Sequence, residues 1–295
     1  MSVRPDVSIV VPTRDRPDAL AACLTALQAQ TAARFEILVV DDASRDAAGV
    51  AGIVARTPLA RLVRAGGGGP AAARNTGAAL ARGPVLCFTD DDCQPVPQWA
   101  AALAARLGPE VAAAAGPTRV ADGADTVATA AQVIASHLAE ATMDAVTGRM
   151  RFAPTSNLAC RSDVWRRLPF DEGYPLAAGE DRDWCARLQQ AGDTLVFEPA
   201  AVVRHHPQLT LRAYWRQQLR YGRGAYRFHR DHGTLRRPAP PAFYAALVRR
   251  ALRDGGVPTA ALVCLAQVAT AAGMAHERWR ATSGRRDARR RASTR

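Results

Sequence analysis

An α/β fold is what this sequence predicts: a mostly parallel sheet with helices on both faces, and a helical extension at the C-terminus. Three observations carry that expectation. Short apolar runs alternate with segments of helical spacing through the N-terminal third, the β-α-β-α-β order that builds parallel sheets. Two of those runs stop abruptly at adjacent carboxylates, Asp41-Asp42 and Asp90-Asp91-Asp92, and open α/β sheets bind ligands outside the carboxyl ends of their strands. The charge is also segregated. Residues 1–206 hold 20 Arg against 23 acids, a net −3, whereas residues 207–295 hold 19 Arg against 4 acids, a net +15.

In chain order, Val7–Val11 reads as a buried strand closed by Pro12-Thr13, with Arg14–Pro17 a loop. Leu20, Cys23, Leu24 and Leu27 then share a helical face. Phe35–Val40 is the second strand, Asp46–Arg56 a helix, and Leu59–Arg64 the third strand. Gly66–Gly69 reads as a flexible loop; Gly67-x-Gly69-x-x-Ala72 loosely matches a dinucleotide fingerprint, but it follows the third strand rather than the first. The helix Ala71–Ala81 carries Arg74 and Asn75. The strand Val85–Phe88 leads to the aspartate triplet, and Trp99, Leu103 and Leu107 mark the next helix. Further along come a strand at Val111–Ala115, a long Ala-rich helix at Thr126–Ala145, a strand-loop at Phe152–Arg161, and a short helix capped by Ser162. On the helix opened by Gly179-Glu180-Asp181, Asp181 shares a face with Trp184, Cys185 and Leu188 and so points inward. Leu195–Phe197 and Ala201–Val203 are short strands, the second leading to His205-His206, and His229-x-x-His232 reads as surface.

Composition excludes some chemistry. The chain has 295 residues and no Lys, so neither a Walker phosphate loop nor Schiff-base catalysis is available. Its six cysteines show no framework spacing, which reads as reduced thiols in a cytoplasmic protein. Met1–Asp6 leads straight into a strand, so no signal peptide is expected. Three adjacent anions repel one another. A divalent cation is one reason to hold Asp90, Asp91 and Asp92 together, since Mg²⁺ and Mn²⁺ prefer carboxylate oxygen. A histidine at a strand end, His205, is a candidate ligand for the same ion.

Six stretches together resemble glycosyltransferase family 2, inverting enzymes with a GT-A fold, from about Val7 to Gly224. They are Val-Ser-Ile-Val-Val-Pro-Thr (7–13), Ile-Leu-Val-Val-Asp-Asp-Ala-Ser (37–44), Ala-Ala-Arg-Asn-Thr-Gly (72–77), Phe-Thr-Asp-Asp-Asp (88–92), Gly-Glu-Asp-Arg-Asp-Trp (179–184) and Val-Val-Arg-His-His (202–206). The resemblance implies a Rossmann-like sheet and a nucleotide-sugar donor, with uridine as the expected nucleoside. Pro12, Thr13, Arg14 and Asp42 would line the base and ribose pocket, with Asp42 accepting from a ring N–H. Arg74, Asn75 and Asp91 would stand near the donor. Asp90 and Asp92 would be the outer acids of a D-x-D motif, Asp92 on the metal and Asp90 on the ribose or metal shell, with His205 completing the metal site. Asp181 would be the general base and Glu180 its support. Two departures stand out. Ala43 replaces the usual glycine, which suits a turn only if no positive φ is needed there. Arg182 would pair with the base and lower its pKa.

The expected organisation is a nucleotide-sugar-binding half over 1–117, an acceptor-side half over 118–206, and a basic helical extension over 207–295. The extension has a basic amphipathic helix at Leu211–Arg230, its apolar stripe being Leu211, Trp215, Leu219, Gly222 and Tyr226. Next come a Pro-rich linker at Arg236–Pro241, an uncharged run at Val257–Ala275 that is close to membrane-spanning length but reads as a buried or peripheral helix rather than a span, and a disordered Arg-rich tail over 284–295. The net +15 implies a polyanionic neighbour, read as the inner face of a membrane or a lipid- or phosphate-linked acceptor rather than nucleic acid. Two other functions share parts of the pattern: a sugar nucleotidyltransferase, which would also use acids and Mg²⁺, and a non-enzymatic binder built on the basic region.

Overall fold

The computed structural model describes residues 4–32, 34–174, 178–235 and 239–292, with side chains as far as Ser283. The N-terminal third alternates as expected: β1 (Val7–Thr13), α1 (Pro17–Gln28), β2 (Phe35–Asp42), α2 (Ala47–Ala55), β3 (Ala60–Ala65), α3 (Pro70–Ala79) and β4 (Val85–Phe88). β1 and β2 are buried at nearly every position because both faces are covered. Ile9 and Val11 join Leu20, Leu24, Ile37, Trp99 and Leu103 in one apolar layer. Val10, one residue out of phase, faces Leu38, Phe88, Leu158, Trp184 and Leu188 in the other.

Beyond β4 the chain forms β5 (Cys93–Pro95), α4 (Trp99–Arg106), β6 (Ala113–Ala115), β7 (Thr118–Val120) and α5 (Thr126–Glu140). A short 3₁₀ turn, Thr155–Asn157, precedes β8 (Leu158–Arg161), α6 (Ser162–Arg167), α7 (Glu180–Gln190), β9 (Leu195–Phe197) and β10 (Val203–His205). The main sheet has seven strands in the order β3-β2-β1-β4-β8-β6-β9. Its β1–β2, β1–β4, β2–β3 and β6–β9 pairs are parallel, and β8 runs antiparallel to both β4 and β6. The sheet thus takes strands from both sides of residue 117. A second sheet, β5-β10-β7, holds the chain just after the aspartate triplet against the chain at His205. The sequence did not reveal β5 or β7, because three residues are too few to show a period.

Other details depart from expectation. α5 stops at Glu140, and the strand before the histidines is Val203–His205. Ser162 is the first residue of α6; Arg161 takes the cap position without a side-chain bond. The αL turn after β2 does need a positive φ, and Ala43 supplies it at 61°. The Ser44 N–H donating to Asp41 Oδ1 at 2.9 Å fastens that strained turn.

The C-terminal region is α8 (Leu211–Asp231) and α9 (Pro241–Ala292), which pack with α5 around a third apolar cluster that includes Val133, Tyr214, Leu247, Ala251, Val263 and Ala266. The buried stripe of α8 is Tyr214, Gln218, Gly222 and Tyr226, one position off the expected Leu211–Trp215–Leu219 line; Leu211 is exposed. His232 is not a surface residue. Its Nε2 lies 3.0 Å from Asp183 Oδ1, tying the end of α8 to α7. α9 bends at Gly256 (φ 71°, ψ −166°), and Pro258 falls in the first turn beyond, where its missing N–H costs nothing. Part of the expected linker, 236–238, lies outside the described residues. The expected disordered tail is helical up to Ala292, and 293–295 lie outside the described residues.

Candidate active site

A cleft of about 1210 Å³ runs along the carboxyl ends of β1, β2 and β4, then between α5 and α8. Pro12, Thr13, Arg14, Asp42, Arg74, Asp90, Asp91, Asp92, Glu180, Asp181 and His205 all line it. Asn75 does not. It is the next residue after Arg74 on α3, so it points about 100° away around the helix. Its Nδ2 donates to the Phe170 carbonyl and to Glu172 Oε1, both at 2.9 Å, and its Oδ1 accepts from Phe170 N–H. Asn75 is therefore a structural tie, not a donor contact.

The aspartate triplet is held by protein cations. Arg16 Nη1 donates to Asp91 Oδ1 at 2.9 Å and to Asp92 Oδ2 at 2.6 Å, and Thr13 Oγ1 donates to Asp91 Oδ2 at 2.8 Å. Arg74, only 4% exposed, donates from Nη2 to Asp90 Oδ1 at 2.7 Å and from Nη1 to Glu180 Oε1 at 3.2 Å. A metal is thus not the sole means of relieving the repulsion. Burial pushes the Asp91 carboxyl up to about 7 against the pull of Arg16.

On the second strand, Asp42 Oδ2 accepts from Gly69 N–H at 3.1 Å and has Arg14 at 3.8 Å. Its Oδ1 is buried on the cleft wall without a hydrogen-bond partner. Leaving a buried carboxylate oxygen unpaired is costly, so this atom marks a place for a donor group of a ligand.

α7 starts at Gly179, whose φ of 98° suits only glycine; a Cβ there would lie 3.1 Å from the Tyr174 ring and 3.2 Å from the Gly224 carbonyl. Glu180 is buried, and Asp181 is partly open to the cleft. Burial raises the pKa of both carboxyls, Asp181 raises Glu180 further, and Arg74 pulls both back. Arg182 does pull the pKa of Asp181 down, as expected, but burial wins and the net shift is upward. Its guanidinium stacks over Phe228 with 4.9 Å to the ring centre, only its backbone N–H binds Asp181 Oδ1, at 2.8 Å, and desolvation outweighs its charge.

The ligand atoms of Asp92, Cys93 and His205 lie within 4.8 Å of one another. Gln132 on α5 decides what His205 can do. Gln132 Nε2 faces the Thr118 carbonyl at 2.9 Å, which can only accept, so that atom is the amide nitrogen. Its Oε1 therefore accepts from His205 Nδ1 at 2.9 Å, and Nδ1 carries the hydrogen. The other ring nitrogen, Nε2, is left facing Asp92 Oδ1 at 3.5 Å. Two acceptors opposed at that distance need a proton or a cation between them, so Asp92 and His205 fit a divalent ion. Cys93 does not fit: burial holds its thiol protonated, and it packs in the apolar layer. Arg16 and Gln132 were both missed from the sequence. Arg16 lies in the loop after β1, at the same sheet edge as the triplet, and that placement was a usable signal; Gln132, on an Ala-rich helix, offered none.

The model of the family described as glycosyl transferase family 2 matches residues 8–168. A pre-mycofactocin glycosyltransferase of Mycobacterium tuberculosis is 30% identical over 227 residues, covering 75% of this chain and 47% of that protein. The chain thus spans about half the length of that relative. The glycosyltransferase AglE of Haloferax volcanii is 29% identical over 275 residues, covering 84% of this chain and 87% of that one. Among solved structures, the mannosyltransferase PcManGT from Pyrobaculum calidifontis, in complex with GDP-Man and Mn²⁺, superposes with a TM-score of 0.63 at 20% identity, covering 94% of this chain and 88% of that one.

Proposed function

The chain belongs to glycosyltransferase family 2, and from that premise we propose that this glycosyltransferase of GT-A fold moves a hexose from a nucleoside-diphosphate sugar to an acceptor hydroxyl. The transfer inverts the anomeric carbon in one direct displacement, so no enzyme nucleophile is required. The observation that carries the reading is the Arg74 bridge. One buried guanidinium joins Asp90 of the triplet to Glu180 at the start of α7. Donor-side acids and the helix bearing the base thereby face each other across a single cleft.

In this reading residues 1–117 bind the donor, 118–206 the acceptor, and 207–295 form the extension. Pro12 and Thr13 wall the base pocket with Arg14 beside the ribose, and the unpartnered Asp42 Oδ1 accepts the base N–H. Asp92 and His205 would hold Mg²⁺ or Mn²⁺, with Asp90 on the ribose or the ion's shell. Such an ion neutralises charge on a diphosphate leaving group. Asp91, tied to Thr13 and Arg16, fixes the loop that presents its neighbours. Asp181 takes the proton from the acceptor hydroxyl, and its raised pKa brings it closer to matching that task at neutral pH. Glu180, anchored on Arg74, holds the first turn of α7 in place. Five of the six cysteines are buried free thiols, which fits a reducing, cytoplasmic setting.

The test is incubation with UDP-sugars and with GDP-mannose, each with and without Mn²⁺. A melting temperature raised by donor and cation together, with nucleoside diphosphate released on adding acceptor, supports the proposal. Pyrophosphate-dependent turnover would favour nucleotidyl transfer instead. Product NMR reads the anomeric configuration.

A further inference from the structure

The face of α9 turned away from the protein carries a long uncharged stripe. No charged residue occurs from Val257 to Ala275. One side of that segment is buried on α5 and α8 through Thr259, Ala260, Val263, Ala266, Ala269 and Gly273. The opposite side exposes Val257, Ala261, Leu265, Val268 and Ala272 at helical spacing, and continues to Trp279. Val257 is 72% exposed, Val268 60% and Trp279 65%. Burying apolar groups is the largest favourable term in folding, so an uncharged stripe of this length left in water calls for a partner.

The flanks identify the partner's charge. Arg249 and Arg253 precede the stripe, Arg278 and Arg280 follow it, and residues 207–295 carry a net +15 from 19 Arg and 4 acids. A second copy of the chain would bring the same arginines against these, whereas an anionic lipid surface complements them. Trp279, at the end of the stripe between two arginines, has the amphipathic ring that favours the level of the headgroups.

By length and composition α9 is also long enough to cross a bilayer, but its packing opposes that. α8 and α9 meet backbone to backbone: a Cβ on Gly222 would lie 2.0 Å from the Thr270 carbonyl oxygen, and one on Gly273 would lie 2.2 Å from that of Leu219. A crossing α9 would either abandon this seat or draw α8, with Arg212, Arg216 and Arg220, into hydrocarbon.

We propose that the segment of α9 beyond Gly256 lies flat on an anionic bilayer, apolar stripe down. The cleft opens beside it, since Leu247, Arg250, Gln267 and Thr270 of α9 line the far end of the cavity. An acceptor carried in the membrane would therefore reach the cleft from the surface on which α9 rests.

The experiment is co-sedimentation of the full chain with vesicles of phosphatidylcholine, alone or mixed with phosphatidylglycerol. Binding needs no donor, so its outcome is separable from the glycosyl-transfer reading. The expected result is binding to the phosphatidylglycerol vesicles only, weakened at least about tenfold by Leu265→Asp with Val268→Asp. Arg278→Gln with Arg280→Gln should erase the preference for anionic over neutral vesicles. Melting temperatures of the variants equal to that of the parent show that the fold is intact. Equal binding of parent and Asp variant overturns the proposal, as does equal binding of the parent to neutral and anionic vesicles. A dimer that the Asp substitutions dissolve, in a chain that ignores vesicles, overturns it in favour of a second copy. Resistance to alkaline carbonate extraction from membranes overturns it in favour of a spanning helix.

Discussion

The two walls of the cleft are held by opposite means. On the wall that holds the aspartate triplet, charge does most of the work: Arg16 from the loop after β1 and Arg74 from α3, with the Thr13 hydroxyl at the end of β1, bind the three aspartates. On the wall built by the C-terminal helices, missing side chains do it. α8 seats Gly222 on the α9 backbone, and Gly224 against the Ala178 carbonyl, where a Cβ would stand at 2.3 Å. A charge-held wall fails locally when one partner is lost, because each ion pair ends at two residues. A wall held by close approach fails as a unit, because one added methyl displaces a whole helix.

Four changes sharpen that contrast, in falling order of effect. Asp181→Asn should cut turnover by about 10²–10⁴-fold while donor and Mn²⁺ still raise the melting temperature, since only proton acceptance is lost. In the unmodified enzyme the same group sets the acid limb. The base must be ionised, and burial raises its pKa, so kcat/KM should fall on acidification at a higher pH than for an ordinary carboxylate. Gly222→Ala should destabilise the protein by about 1–3 kcal/mol in denaturant melts and lower turnover, with donor affinity nearly unchanged. Loss of donor affinity as well would mean that the two walls are not independent. Gln132→Leu should weaken Mn²⁺ binding, read by electron paramagnetic resonance, by about 10–100-fold, whereas Gln132→Glu, which keeps an acceptor at His205 Nδ1, should retain most of it. Ala43→Gly relieves a left-handed residue and should stabilise the fold by up to about 1 kcal/mol, the gain being reduced by the extra freedom of glycine in the unfolded chain.

The same contrast explains how much was legible in the sequence. The acids that line the cleft were nearly all readable, because Asp42, Asp90, Asp92 and Asp181 sit where a strand or helix changes to a loop, and such boundaries leave local signals. Asn75 misled because neighbouring residues on a helix cannot face one way. The wall built by the helices was poorly readable. Gly222 counted as one more member of an apolar stripe, and nothing local announces that another backbone will lie against it. Gln132 has meaning only once β7 and β10 bring Thr118 and His205 to it. The segregated charge did point to the C-terminal region as a surface of its own kind, but the apolar face of α9 became visible only when its other side was seen to be covered.

The Arg74 bridge also sets a dimension. A guanidinium is flat, rigid and charged at any pH at which proteins fold. Its two nitrogens, planted on Asp90 and Glu180 with the guanidinium itself buried, act as a spacer of fixed width between the aspartate triplet and the first turn of α7. A lysine's single ammonium could grip one carboxylate but not measure the gap to the other. In a chain that uses no lysine anywhere, that gauge is cut to the one shape every cation here already has.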